Sequence, residues 1–180
     1  MPLRDVTIRY LSLDSPADFV AKPSGCAGIS FARVGAPMPE LNRFFYAAVG
    51  HRWFWIDRLP WTRAQWMAYL EQPGMETWVL SVDGVPAGYA ELTPHDDGSV
   101  ELQYFGLLDA FIGQGLGAHM LGETVARAWA MGARRVLLNT CDLDHPAALA
   151  NYEARGFCEY KKDVQRREIP LTPPGVWGEA

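Results

Sequence analysis

The first clear periodic signal is an apolar stripe, Leu41, Phe44, Phe45 and Ala48, spaced at i, i+3, i+4 and i+7. That spacing predicts a helix with one buried face. Pro39 suits its first position, and Gly50 suits the left-handed site just past its end. A second helix is predicted from Thr62, whose hydroxyl can cap it while Gln65 reaches back in a capping box. Trp61 and Trp66 then stand where a hydrophobic staple forms, and Pro73-Gly74 stops the helix. Before these helices, Val6 to Leu11 is β-rich and predicts an edge strand or an N-terminal arm. Ser12 to Gly25 reads as a loop, and Gly28 to Val34 as a short strand.

From Glu76 the period becomes that of strands. Glu76 to Val82 and Pro86 to Leu92 flank Asp83-Gly84, a two-residue hairpin turn. His95-Asp96-Asp97-Gly98 is a second turn leading into Val100 to Leu108, which completes an antiparallel meander. Gly115 to Met131 predicts a helix burying Leu116, Met120, Leu121, Val125, Ala128 and Trp129, closed by Gly132. Arg135 to Thr140 is a short apolar strand, parallel to its predecessor across this helix. A last helix, Pro146 to Arg155, begins at Asp144 or His145 and ends at Gly156. Phe157 to Ile169 is extended and charge-rich, and residues 170–180 form a tail. The fold class is α/β: a mixed sheet in which an antiparallel meander is followed by a parallel crossover, flanked by helices.

Composition narrows the function classes. The 180 residues fit a single domain, 1–180, with residues 1–27 as its arm. The formal charge of -5 argues against a nucleic-acid partner, which selects for a basic face. Three cysteines at unrelated spacings imply neither a disulfide framework nor a zinc knuckle. No membrane span, signal peptide or metal site is expected; His51, His95 and His119 lack ligand spacing, and a reduced cytoplasmic compartment is the natural setting.

The glycine loop carries the chemistry. Gly113, Gly115 and Gly117 alternate just ahead of the crossover helix, where backbone N–H groups and the helix dipole make a phosphate site needing no basic side chain. Gly113-x-Gly115-x-x-Ala118 also satisfies a dinucleotide fingerprint. That fingerprint requires the strand to end immediately before it and an acidic residue about 20 positions on. Here Asp109 to Ile112 intervene, and Leu138 and Asn139 stand at the acidic position. The dinucleotide reading is therefore the weaker one.

The stretch from Glu101 through Met120, with Asn151-Tyr152-Glu153-Ala154-Arg155-Gly156-Phe157, resembles the GNAT acetyltransferase superfamily. Gly115-Leu116-Gly117 match the second half of its phosphate signature, and Tyr152 to Phe157 reproduce its late Tyr-Glu-x-x-Gly-Phe motif. The resemblance is strongest over residues 78–157. It implies acetyl-CoA as co-substrate and an amine as acceptor, with the pyrophosphate cradled by Ile112, Gly113, Gln114, Gly115, Leu116, Gly117 and Ala118. Two positions depart from the pattern: Ile112 replaces the usual Arg or Gln, and His145 stands where an Asn contacts the pantetheine arm. The resemblance also implies that the strand carrying Phe105 and Leu107 splays from its neighbour and binds pantetheine with its free edge. Glu101 is then the expected general base and Tyr152 the acid that protonates the leaving thiolate.

Cys141, close to Asp142, Asp144 and His145, could be drawn as a nucleophile. Such triads usually assemble from distant segments, and a cysteine ending a buried strand generally packs. Direct transfer in a ternary complex is expected. Four of the seven tryptophans fall between His51 and Trp66. Trp53 and Trp55 are candidate walls of the acceptor site, and Asp57 a handle for its amine. The alternative function is a non-catalytic acyl-CoA-binding module. Homodimerisation through Lys161 to Glu168 is a further possibility.

Overall fold

The computed structural model describes residues 1–176, so the last four residues of the expected tail lie outside the described residues. A seven-stranded sheet forms the middle layer: β1 (Leu3–Leu13), β2 (Ile29–Arg33), β3 (Glu76–Val82), β4 (Val85–Pro94), β5 (Ser99–Leu107), β6 (Arg135–Cys141) and β7 (Cys158–Glu168). Their order across the sheet is β2-β3-β4-β5-β6-β1-β7. Every neighbouring pair is antiparallel except β5 and β6. The β3–β4 turn has Asp83 and Gly84 both at positive φ, +49° and +79°, as a type I′ hairpin demands.

Helices α1 (Pro39–Gly50) and α2 (Arg63–Leu70) cover one face of β3 to β5. On the opposite face, α3 (Leu116–Ala130) buries Leu121, Val125 and Ala128 against Leu92, Leu102 and Leu138. The short α4 (Ala148–Glu153) packs there too, through Leu149 and Tyr152. The Thr62–Gln65 capping box is present, and Trp61 and Trp66 meet edge to face at 5.2 Å.

Three expectations change. β1 is neither edge nor arm but an interior strand between β6 and β7, with Val6, Leu11 and Leu13 fully buried; β7 takes the edge. The buried face of α1 is Asn42, Phe45, Tyr46 and Val49, while Phe44 turns outward. This rotation follows from Asn42, whose amide donates to the buried Glu91 carboxylate at 2.8 Å. Gly50 ends α1 with no left-handed turn; it is glycine because a Cβ there would collide with Trp55.

One irregularity positions the site. Opposite Glu91 and Leu92 the register of β5 skips from Tyr104 to Leu102, leaving Gln103 as an extra, bulged residue. A bulge bends its strand and shifts the facing of everything beyond it. Leu102, Phe105 and Leu107 consequently pack on the α3 side, while Tyr104 faces α1 and α2.

Candidate functional site

β5 and β6 pair only from Ser99↔Arg135 to Leu102↔Leu138, yet both strands run on, to Leu107 and Cys141. Past the bulge they diverge. The gap between them is part of a cleft of about 520 Å³ running from the start of α3 to the aromatic segment after α1. Along this gap β5 is paired with β4 on one side and not with β6 on the other. Its outer edge therefore presents backbone groups to whatever enters, as an added strand would require.

The glycine loop closes one end. Gly113 and Gly115 hold φ of +84° and +75°, and no side chain caps α3. Among the described residues, the first-turn N–H groups of α3 thus have no capping side chain as partner. A Cβ on Gly117 would lie 3.8 Å from Leu107 Cδ1, ordinary contact, so neither packing nor backbone requires glycine there. Gly117 keeps the first turn of the helix open toward the cleft. Uncapped donors, left-handed glycines and a bare helix face together fit a pyrophosphate. Lys22 lines the same cleft, on a loop held to the turn just after α4 by Val20 N–H donating to Arg155 C=O at 3.1 Å. Sequence reading missed Lys22, because nothing local links that loop to residues some 90 positions away.

All the residues expected at the site line the cleft except Glu101, Gln114 and Leu116. Leu116 is a core residue packed beneath the loop. Gln114 turns its amide back to donate to Ala110 C=O at 2.7 Å. Glu101 is the consequential case. Its carboxylate accepts from Gln103 Nε2 at 2.7 Å and Asn139 Nδ2 at 3.3 Å, and meets His95 Nε2 at 2.9 Å. Gln103 and Asn139 line the cleft, whereas Glu101 does not.

Tyr152 faces the cleft, its ring held between Phe105 and Phe157 at centroid distances of 6.5 and 6.1 Å. Burial, and then the nearby Asp144 carboxylate, push its phenol well above the ordinary value, so it keeps its proton throughout the neutral range. Burial, then Asp144, also raise the Cys141 thiol, to about 11. A nucleophilic thiolate is therefore scarce at neutral pH. We expect Cys141→Ala to retain turnover within about twofold in a steady-state assay; loss of activity, or a trapped acetyl-cysteine, would restore the covalent route.

The segment after α1 crosses the gap at alternate residues. Trp53 meets His145 edge to face at 5.2 Å. Trp55 interacts with Asp144, whose carboxylate also accepts from Thr140 Oγ1 at 2.7 Å and Cys141 N at 2.9 Å. Asp57 is bridged at both oxygens by one nitrogen, Nη2, of Arg167 on β7, each at 2.6 Å. Asp57 is therefore engaged with a cation of the protein itself. Arg167 was not foreseen: in the sequence it is one charge among many on an extended segment.

Behind the cleft lies a buried polar cluster. Glu91, fully buried, accepts from Asn42, from Arg58 at 3.2 Å and from Tyr69 at 2.7 Å. The Arg58 guanidinium stacks over Tyr69 and Tyr104 at 3.8 and 4.4 Å. Since Tyr104 and Tyr46 also line the cleft, this cluster forms its floor on the α1 side.

Comparisons with known proteins agree with this geometry. No curated protein matches the sequence. Among solved structures, a GCN5-related N-acetyltransferase from Sphaerobacter thermophilus superposes with a TM-score of 0.66 at 20% identity, over 96% of this chain and 53% of that one. A GCN5-related N-acetyltransferase from Kribbella flavida gives 0.63 at 22% identity, over 96% and 60%. The ribosomal-protein-S18-alanine N-acetyltransferase from Escherichia coli gives 0.58 at 18% identity, over 74% and 79%. This chain thus spans little more than half the length of the first two. At these identities the likeness speaks to fold. Membership rests on the sequence itself: the profile of the Acetyltransferase (GNAT) family matches residues 37–157. The chain belongs to the GNAT acetyltransferase family.

Proposed function

We propose that this chain transfers the acetyl group of acetyl-CoA to a primary amine of a small molecule or peptide, directly and in a ternary complex. The observation that carries the proposal is the divergence of β5 from β6 beyond Leu102 and Leu138, which joins the glycine loop to Tyr152 in one cleft. The α3 N-terminus holds the pyrophosphate, with Lys22 adding charge that Ile112 lacks. The free edge of β5 between Gln103 and Leu107 holds the pantetheine arm, and a backbone N–H there polarises the thioester carbonyl.

The acceptor enters as an ammonium and loses one proton to water. Its neutral nitrogen attacks the thioester carbon; the N–C bond forms and the carbonyl pair moves to oxygen. Collapse breaks the C–S bond, the thiolate takes a proton from the Tyr152 hydroxyl, and the proton on the new amide nitrogen departs to restore the phenol through water. Because the Tyr152 phenol is a weaker acid than a thiol, positioning supplies most of its effect. Glu101 serves here as a positioning residue: it fixes the amides of Gln103 and Asn139 at the fork of the two strands.

Calorimetric titration with acetyl-CoA, with NAD and NADP as controls, tests the cofactor. Saturable binding to a dinucleotide alone would overturn the reading. Tyr152→Phe is expected to lower kcat on the order of 100-fold while leaving acetyl-CoA affinity within about twofold. Unchanged turnover would remove Tyr152 from the acid role. Binding of acetyl-CoA with no turnover of any amine would favour the non-catalytic binding module.

A further inference from the structure

Arg167 is tied to Asp57 through Nη2 alone. Its remaining donors, Nε and Nη1, have no hydrogen-bond partner among the described residues, and its side chain is 31% exposed where it lines the cleft. A guanidinium carries five N–H donors in a rigid plane; both of its fork edges include Nη2, so what Arg167 has left is the separate N–H donors of Nε and Nη1, each able to bond one oxygen of an anion. The pairing with Asp57 fixes that plane. The surroundings suit the rest of such a ligand. Asp57 and Arg167 share the cleft with Trp53, Phe54 and Tyr46, an apolar and aromatic wall on the α1 side. Arg167 lines the same cleft as Cys141 on β6 and Tyr104 on β5, the two strands that border the open gap.

We propose that Arg167 is the acceptor's carboxylate site, and that the acceptor is an amino acid with an apolar or aromatic side chain. The inference rests on the acetyl-transfer reading. Arg167 holds the carboxylate through its charge and a free Nη1 N–H, Trp53 and Phe54 take the side chain, and the amine points into the gap. Asp57 is a positioning residue, acting only through Arg167. Both of its oxygens accept from Arg167 Nη2, so part of its acceptor capacity is already committed within the protein.

The test compares phenylalanine, phenylalanine amide and phenethylamine as acceptors at saturating acetyl-CoA. Phenethylamine has an amine of similar basicity and no carboxylate, so it isolates the acid group. We expect kcat/KM for phenylalanine to exceed that for phenethylamine by roughly 10- to 100-fold, the effect of one charge-assisted pair. Arg167→Gln should abolish that preference, Arg167→Lys should retain part of it, and Asp57→Asn should weaken it with little change for phenethylamine. Acetyl-CoA affinity and Tm, measured on each variant, separate recognition from misfolding. An equal rate for acid and amine, or a preference that survives in Arg167→Gln, overturns the proposal. So does binding of acetyl-CoA with no acetylation of any of the three. Failure to bind acetyl-CoA at all would instead defeat the cofactor reading beneath it.

Discussion

Replacing Arg58 by Met should destabilise the protein by about 3–5 kcal/mol, because it leaves the Glu91 carboxylate buried without its cation. For a domain of this length that corresponds to a fall in Tm of roughly 6–20 °C. The loss should depend on pH in a defined direction. Burial raises the Glu91 pKa above its ordinary value, while Arg58, then the bonds from Asn42 and Tyr69, pull it back down. A carboxyl raised on folding makes its full contribution to stability below the unfolded value, about 4.3, and loses it as pH rises through the folded value. Without Arg58 the folded value climbs further. The deficit of the variant should accordingly be larger at pH 8 than at pH 5. Adding Glu91→Gln should recover much of it, since the uncompensated charge is then gone. Denaturant unfolding of the two single variants and the double, at both pH values, measures this coupling. A pH-independent deficit, or strictly additive effects, would mean that the pair is not the source.

Gly115→Val should weaken acetyl-CoA binding on the order of 100-fold. Gly115 sits at φ +75° immediately before α3, a conformation that costs a β-branched residue about 1–3 kcal/mol. Relief of that strain rotates the loop and misdirects the N–H groups that would meet the pyrophosphate. Gly117→Ala provides the contrast. Its backbone is helical and its Cβ has room, so helix propensity predicts stability equal to or up to about 1 kcal/mol above the parent. Affinity should nevertheless fall, because the added methyl occupies the helix face that the ligand approaches. Retained affinity in both variants would move the phosphate site elsewhere.

The chemistry of the chain was unevenly legible. The places of Tyr152 and the glycine loop along the cleft could be read because each is local: a few consecutive residues specify a helix start or a turn, and their spacing survives folding. Glu101 could be placed on its strand, but its partners could not be read. His95, Gln103 and Asn139 reach its carboxylate across a turn, a bulge and a parallel pairing. Asp57 was read as a free acid because Arg167 stands 110 positions away.

By itself the sequence determined the α2 capping box, the I′ hairpin, the meander, the β5–α3–β6 crossover and the family. All of these follow from short-range periodicity, turn chemistry or contiguous motifs. Only the tertiary structure decided where β1 goes, because its β-rich residues are the same whether a strand lies at an edge or between two partners. Only packing turned α1 toward Asn42, since a polar residue reads as outward until its buried partner Glu91 is known. The Gln103 bulge belongs to the same class: one residue too many against β4 is a property of two strands in register. That single extra residue faces Tyr104 toward α1 and begins the divergence that makes the cleft.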